Sequence, residues 1–195
     1  MNYIYKLVLL NALFFLLFTI TTLPAQNLKN VQIRGDVQID GRAFINDDRD
    51  SAVNTYLIRR ARISVQGSIN DYFSFRIMPN FGGGNPDLQD AYIDFTPVSF
   101  LTLRAGKFKP PIGLERSQSP TNLMLPELAL PTNLVPLRDT GILLTGRFGK
   151  GFLRIEAGLL NGTLDGTSIN SDYQNPKDIV GRVFIHPLIK SGNHV

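Results

Sequence analysis

The chain has 195 residues with 20 Lys and Arg, 16 Asp and Glu, two histidines and no cysteine. Thiol chemistry and thiolate metal sites are therefore excluded, and with only His186 and His194, both near the C-terminus, a histidine-based catalytic or metal centre is not expected. A formal charge of +4, spread along the chain without a block, does not suit nucleic-acid binding.

Residues 1–25 carry one basic residue, Lys6, then the apolar run LVLLNALFFLLFTI (7–20) and the exit TTLPAQ. This order predicts a secretory signal peptide cleaved after Ala25, although Leu23 is larger than the residue preferred three places before a cut. A membrane anchor is the alternative, but the apolar run falls short of the ~20 residues that span a bilayer. Removing Lys6 from the 20 basic residues leaves 19 against 16 acidic ones, so the mature chain at 26–195 stays mildly basic. It contains no further apolar stretch long enough for a transmembrane helix, and a membrane location has to be reached with strands.

Alternation with a period of two, the mark of a strand, recurs through the mature chain. VQIRGDVQIDGR (31–42) sets Val31, Ile33, Val37 and Ile39 against Arg34, Asp36, Asp40 and Arg42. The stretch 57–69 alternates cleanly from Ala61 onward, with Ile63 and Val65 opposite Arg60, Arg62 and Ser64. Strands are predicted next at 72–81, with Arg76 on the polar row, at 88–95, with Asp90 and Asp94, and at 101–108, with Arg104. Lys107 falls on the apolar row by strict parity, so a bulge or the strand's end is expected there. Three more follow at 141–148, 152–160 and 179–187, placing Arg147, Arg154, Glu156 and Arg182 on the polar row. No later segment has a helical period.

The predicted connections, 43–56, 70–71, 82–87, 96–100, 109–140, 149–151 and 161–178, alternate between longer and shorter. An up-and-down meander with compact turns at one end and elaborated loops at the other gives this alternation, as in outer-membrane barrels. The strands are also nearer the ~9–11 residues of a membrane strand than the ~5–6 of a soluble one. A secreted β-sandwich with one buried and one solvated face has the same period, and a small eight-stranded barrel with a structural or adhesion role is a further alternative. The predicted fold class is an all-β, antiparallel, up-and-down transmembrane β-barrel.

The segments RRARISVQGSINDYFSFRIMPNFGG (59–83), LQDAYIDFTPVSFLTLRAGKFKPPIGLERS (88–117) and LVPLRDTGILLTGRF (134–148) resemble, in that order, the phosphate-selective porin O and P family. The resemblance covers about residues 56–165. It implies a sixteen-stranded barrel, of which this chain holds the N-terminal half, assembled as a homotrimer in the bacterial outer membrane. It also implies that 109–140 is a constriction loop folded into the lumen, and that basic residues draw anions through without cofactor or catalysis. The chain departs from the family in three respects. Eight strands make half of such a barrel, and the tail HPLIKSGNHV lacks a terminal aromatic, so a fragment, truncated product or split gene is expected. Residues 110–140 contain no lysine, which puts phosphate selectivity in question.

On the polar row, Arg60, Arg62, Arg76, Arg104, Arg147, Arg154 and Arg182 come from six predicted strands and form the expected anion pathway. An anion entering a narrow pore loses hydration that fixed cations must replace, and arginine stays charged at any relevant pH. Asp90, Asp94 and Glu156 oppose them, and cross-strand pairing that only stiffens the wall is the competing account. The 109–140 loop holds six prolines and several leucines, which would be buried if it folds against the barrel interior. Its expected constriction residues are Lys107, Lys109, Arg116, Ser117, Ser119 and Arg138, with Glu115, Thr121 and Asn122 beside them. FGGGNP (81–86) has no Lys-Ser and no following helix, so it reads as a loop rather than a phosphate cradle. NGT (161–163) reads as a turn, and Asp90 with Asp94 as partners of arginines rather than an acid–base pair.

Overall fold

The computed structural model describes residues 28–44, 53–119, 128–168, 170 and 175–186. The predicted signal peptide, Thr121 and Asn122 of the loop, and the tail beyond His186 lie outside the described residues. All eight expected strands are present: β1 (Lys29–Arg42), β2 (Thr55–Ser68), β3 (Phe73–Asn80), β4 (Asp87–Val98), β5 (Leu101–Phe108), β6 (Asp139–Phe148), β7 (Leu153–Leu160) and β8 (Asp178–Ile185). They form one antiparallel sheet in chain order, an uninterrupted meander half as wide as a sixteen-stranded barrel, and β1 does not pair with β8.

Period-two alternation gives each strand one apolar and one polar row, and antiparallel pairing keeps each row on one face. The apolar row is bare. Ile33 is 74% exposed, Ile93 50% and Ile179 88%, and among the described residues no second layer lies over them. A soluble sandwich buries this row; a sheet facing hydrocarbon leaves it open. Exposed aromatic rings collect beyond its ends. Phe73 stacks on Phe95 with ring centroids 4.8 Å apart, and Phe100 meets Phe148 at 5.8 Å, all beside the short turns. Phe44, Tyr56 and Phe81 occupy the opposite end. Such girdles flank the apolar band of membrane barrels.

The short-turn end holds the connections 69–72, 99–100 and 149–152, and the other end holds 43–54, 81–86, 109–138 and 161–177. Asn70 explains one tight turn, since its Oδ1 accepts from the backbone N–H of Tyr72 (2.9 Å) and Phe73 (2.8 Å).

Register shifts fall between Lys29 and Gln32, Gln38 and Ile39, Met78 and Pro79, and Phe95 and Val98, and three local features bear on the polar face. Gln38 pairs with Arg60 but Ile39 pairs with Ile58, so Arg59 is the extra residue of a bulge. The bulge turns Arg59 to the polar face, where it pairs with Asp40, and returns Ile58 to the outer row. At Gly106, φ is +129° and an added Cβ would meet the Ala91 carbonyl at 2.2 Å, so only glycine lets β5 lie this close to β4. Thirdly, the inner face carries an apolar cluster of Phe108, Leu143, Leu160 and Val180, packed by Tyr92 and Ile112. It lies toward the long-loop end and gives the loop something to bury.

Candidate functional site: an arginine-lined cavity beneath the long loop

The long loop leaves β5 at Phe108 and crosses the polar face of the sheet. Pro110 and Pro111 are buried, a single helical turn, α1 (Leu114–Ser117), follows, and a 3-10 turn at Leu130–Leu134 leads back to β6. Between loop and wall lies a cavity of ≈ 770 Å³, and a smaller one of ≈ 250 Å³ lies beside it. Arg62, Lys109 and Arg138 line both and so form the neck between them.

Three of the wall's carboxylates, Asp94, Asp90 and Glu156, are bound by arginines, and Asp36 stands directly across β1 and β2 from Arg62. Asp94 receives Arg104 through two parallel bonds of 2.7 and 2.8 Å, a register set by the direct β4–β5 pairing of these residues. The same guanidinium stacks on the Tyr92 ring, 3.8 Å from its centroid. Asp90 is shared by Arg138 at 2.6 Å and Arg76 at 3.3 Å. Glu156 is shared by Arg154 at 2.5 Å and Arg182 at 2.6 Å. Three carboxylates thus serve five arginines. Arg62 and Arg147 make no ion pair among the described residues, and the Arg62 Nε–H is buried without a hydrogen-bond partner. Arg147 even stands directly opposite Arg154 across β6 and β7. The competing account, mutual pairing, therefore describes part of the wall and leaves a surplus of positive charge.

Glu156 is the most burdened of these groups, with its side chain 1% exposed between two guanidiniums. Glu156→Gln is expected to cost about 1.5–3 kcal/mol, the worth of charge-assisted hydrogen bonds. The check is the temperature at which the folded gel band converts to the unfolded one; an unshifted conversion means the pairings do not stiffen the wall.

The loop joins the wall through polar contacts as well. Arg182 of β8 donates to Ser117 Oγ at 2.9 Å, linking α1 to the far strand. The buried Arg116 donates to the Thr132 carbonyl at 2.6 Å, and Ala129 N–H donates to Glu115 at 2.9 Å, bracing the loop against itself. Lys109 donates to the Gln118 carbonyl at 2.6 Å. Burial, and then the nearby charge of Arg138, lower the Lys109 ammonium to a pKa of about 7, with Arg62 and Arg116 acting the same way and Asp90 opposing.

Six of the seven expected pathway arginines line the large cavity; Arg60 lines the smaller one and donates to Gln38 at 2.7 Å. Of the expected constriction residues, Lys109, Ser117, Ser119 and Arg138 line the large cavity and Arg116 the smaller. Lys107 lines neither. It is 5% exposed and donates to Asn170 at 2.5 Å, under the connection that follows β7. Parity alone omitted Arg59; it set Tyr92 on the polar row, where it lines the cavity, but did not single out Phe108 and Leu143. The break of pattern before Ala61 was the available sign of the first. Apolar residues appearing in both rows at 143, 160 and 180 were the sign of the inner cluster.

An open, lipid-facing meander with a basic inner face and a loop lying across it is the wall of a porin. The model of the phosphate-selective porin O and P family matches residues 31–194, and the chain belongs to that family. No curated protein matches the chain. Membership makes it an outer-membrane porin of bacteria, and the family points to a channel.

Proposed function

We propose that the chain forms part of a passive channel for small inorganic anions, phosphate among them, with the arginine face as pathway and residues 109–140 as the constriction. In this reading the signal peptide directs export and the complete barrel assembles as a homotrimer. One observation supports the anion preference most: among the described residues the large cavity is lined by eight arginines and Lys109 against Asp36, Asp90 and Glu156. Shared carboxylates hold the guanidiniums in place, and the surplus cations attract an anion weakly enough at several heights for it to leave again. The Arg62 Nε–H adds a donor with no protein acceptor to compete for it. The test is reversal potential in planar bilayers under a salt gradient, with chloride and then phosphate as the anion. A cation preference overturns the proposal.

The Lys109 pKa of about 7 gives the preference a pH dependence. The ammonium is charged below that value and neutral above it, so positive charge at the neck is present in acid and lost as pH rises. Anion preference is expected to fall between about pH 6 and pH 8, while the neighbouring guanidiniums stay charged. Lys109→Arg should keep the preference and flatten the profile. A wild-type profile already flat across that window contradicts the assignment.

A further inference from the structure

The RDTG sequence at 138–141 stands where the long loop returns to the wall, and only its arginine has a part in the channel so far. Asp139 is 1% exposed and its carboxylate is saturated. Oδ1 accepts the Thr140 N–H at 2.7 Å and the Thr163 hydroxyl at 2.8 Å, while Oδ2 accepts the N–H groups of Gly162 and Thr163, each at 3.0 Å. Backbone bonds extend the contact: Leu137 N–H to the Thr167 carbonyl at 2.8 Å, Gly166 N–H to that of Val135 at 3.0 Å, and Asn161 N–H to that of Thr140 at 2.9 Å. Arg138 and Ser168 form a parallel bridge in the same strip.

We propose that residues 161–168 clamp the return limb of the long loop, and that Asp139 is a positioning residue which sets Arg138 in the neck. This rests on the porin reading above. Arg138 stands among Arg62, Lys109 and Arg116, all of its own sign, and its one acid, Asp90, is divided with Arg76. The guanidinium bonds Asp90 at 2.6 Å and the Leu137 carbonyl at 2.8 Å, and both contacts depend on where the return limb lies. The backbone beneath it is fixed from the other direction by the adjacent carboxylate and the connection after β7. The outgoing limb needs no such device, because Pro110 and Pro111 are buried and Ile112 packs on the inner apolar cluster.

The experiment uses the assembled protein with a nitroxide pair at Leu134→Cys and Leu164→Cys, residues 1–195 having no cysteine of their own. Asp139→Asn presents an amide to N–H donors, and Thr163→Val removes the hydroxyl while keeping the carboxylate. Both are expected to broaden the distance distribution, with Thr163→Ser restoring it. In bilayers Asp139→Asn should lower anion preference several-fold, as Arg138→Gln does, and the double variant should add nothing further. Unchanged distances, or a selectivity loss that adds to that of Arg138→Gln, overturn the clamp. Should Asp139→Asn fail to yield a heat-modifiable band, Thr163→Val decides the matter. A wild-type pore without anion preference defeats the porin reading instead, and the nitroxide distances still judge the clamp.

Discussion

Ile93→Arg should sharply reduce the amount of chain that assembles in the outer membrane. Ile93 sits on the outer row of β4, opposite Phe75 and Ala105, and half its surface faces outward. A guanidinium at the bilayer midplane of a barrel costs about 2–4 kcal/mol, a large part of a typical net stability of about 5–15 kcal/mol. Thr102→Arg makes the same change on the inner face, where Thr102 lines the large cavity. That variant should assemble. Heat-modifiable migration of membrane fractions separates the two, and equal assembly of both would remove the assignment of the outer row to lipid.

The second large effect concerns the surplus cations. Arg62→Glu with Arg147→Glu replaces two positive charges that form no ion pair among the described residues by two negative ones. A unit charge 4 Å from an ion is worth about 1 kcal/mol in water and about 4 kcal/mol at the effective dielectric of a protein surface. Since 1.4 kcal/mol is a factor of ten, the double reversal is expected to cut anion over cation permeability at least tenfold and to invert its sign. Arg104→Gln with Asp94→Asn removes a bidentate pair without net charge and should leave the reversal potential close to wild type. If the reversal and the neutral deletion shift the potential alike, pore geometry rather than surplus charge governs selectivity.

The strands were legible because alternation is a physical requirement for a sheet with hydrocarbon on one side and water on the other. Ile33, Ile63, Ile93 and Ile155 lie on the outer row where parity places them. The bulge at Arg59 was not legible, because one unopposed residue alters parity without altering composition. Lys107 shows the same limit from the other side. Its irregular parity is plain in the sequence, but its burial depends on Asn170, 63 positions away. The pairing of Asp94 with Arg104 follows from register, which the short turn at 99–100 sets together with the irregularity between Phe95 and Val98. The sharing of Asp90 between Arg76 and Arg138 depends on how the loop returns, which no period encodes. For the same reason Asp139 reads as an ordinary polar residue until the connection after β7 is set against it.

The placement of the surplus cations along the wall has an electrical consequence. Arg62, Lys109 and Arg116 gather with Arg138 near the elaborated end, whereas Arg147 faces Arg154 near the compact turns, about nine residues or ~30 Å further along β6. Counter-ions therefore accumulate unevenly between the two mouths, since screening reaches only ~8 Å at physiological salt. Current through such a conduit should rectify, and reversing the applied voltage would not give its mirror image.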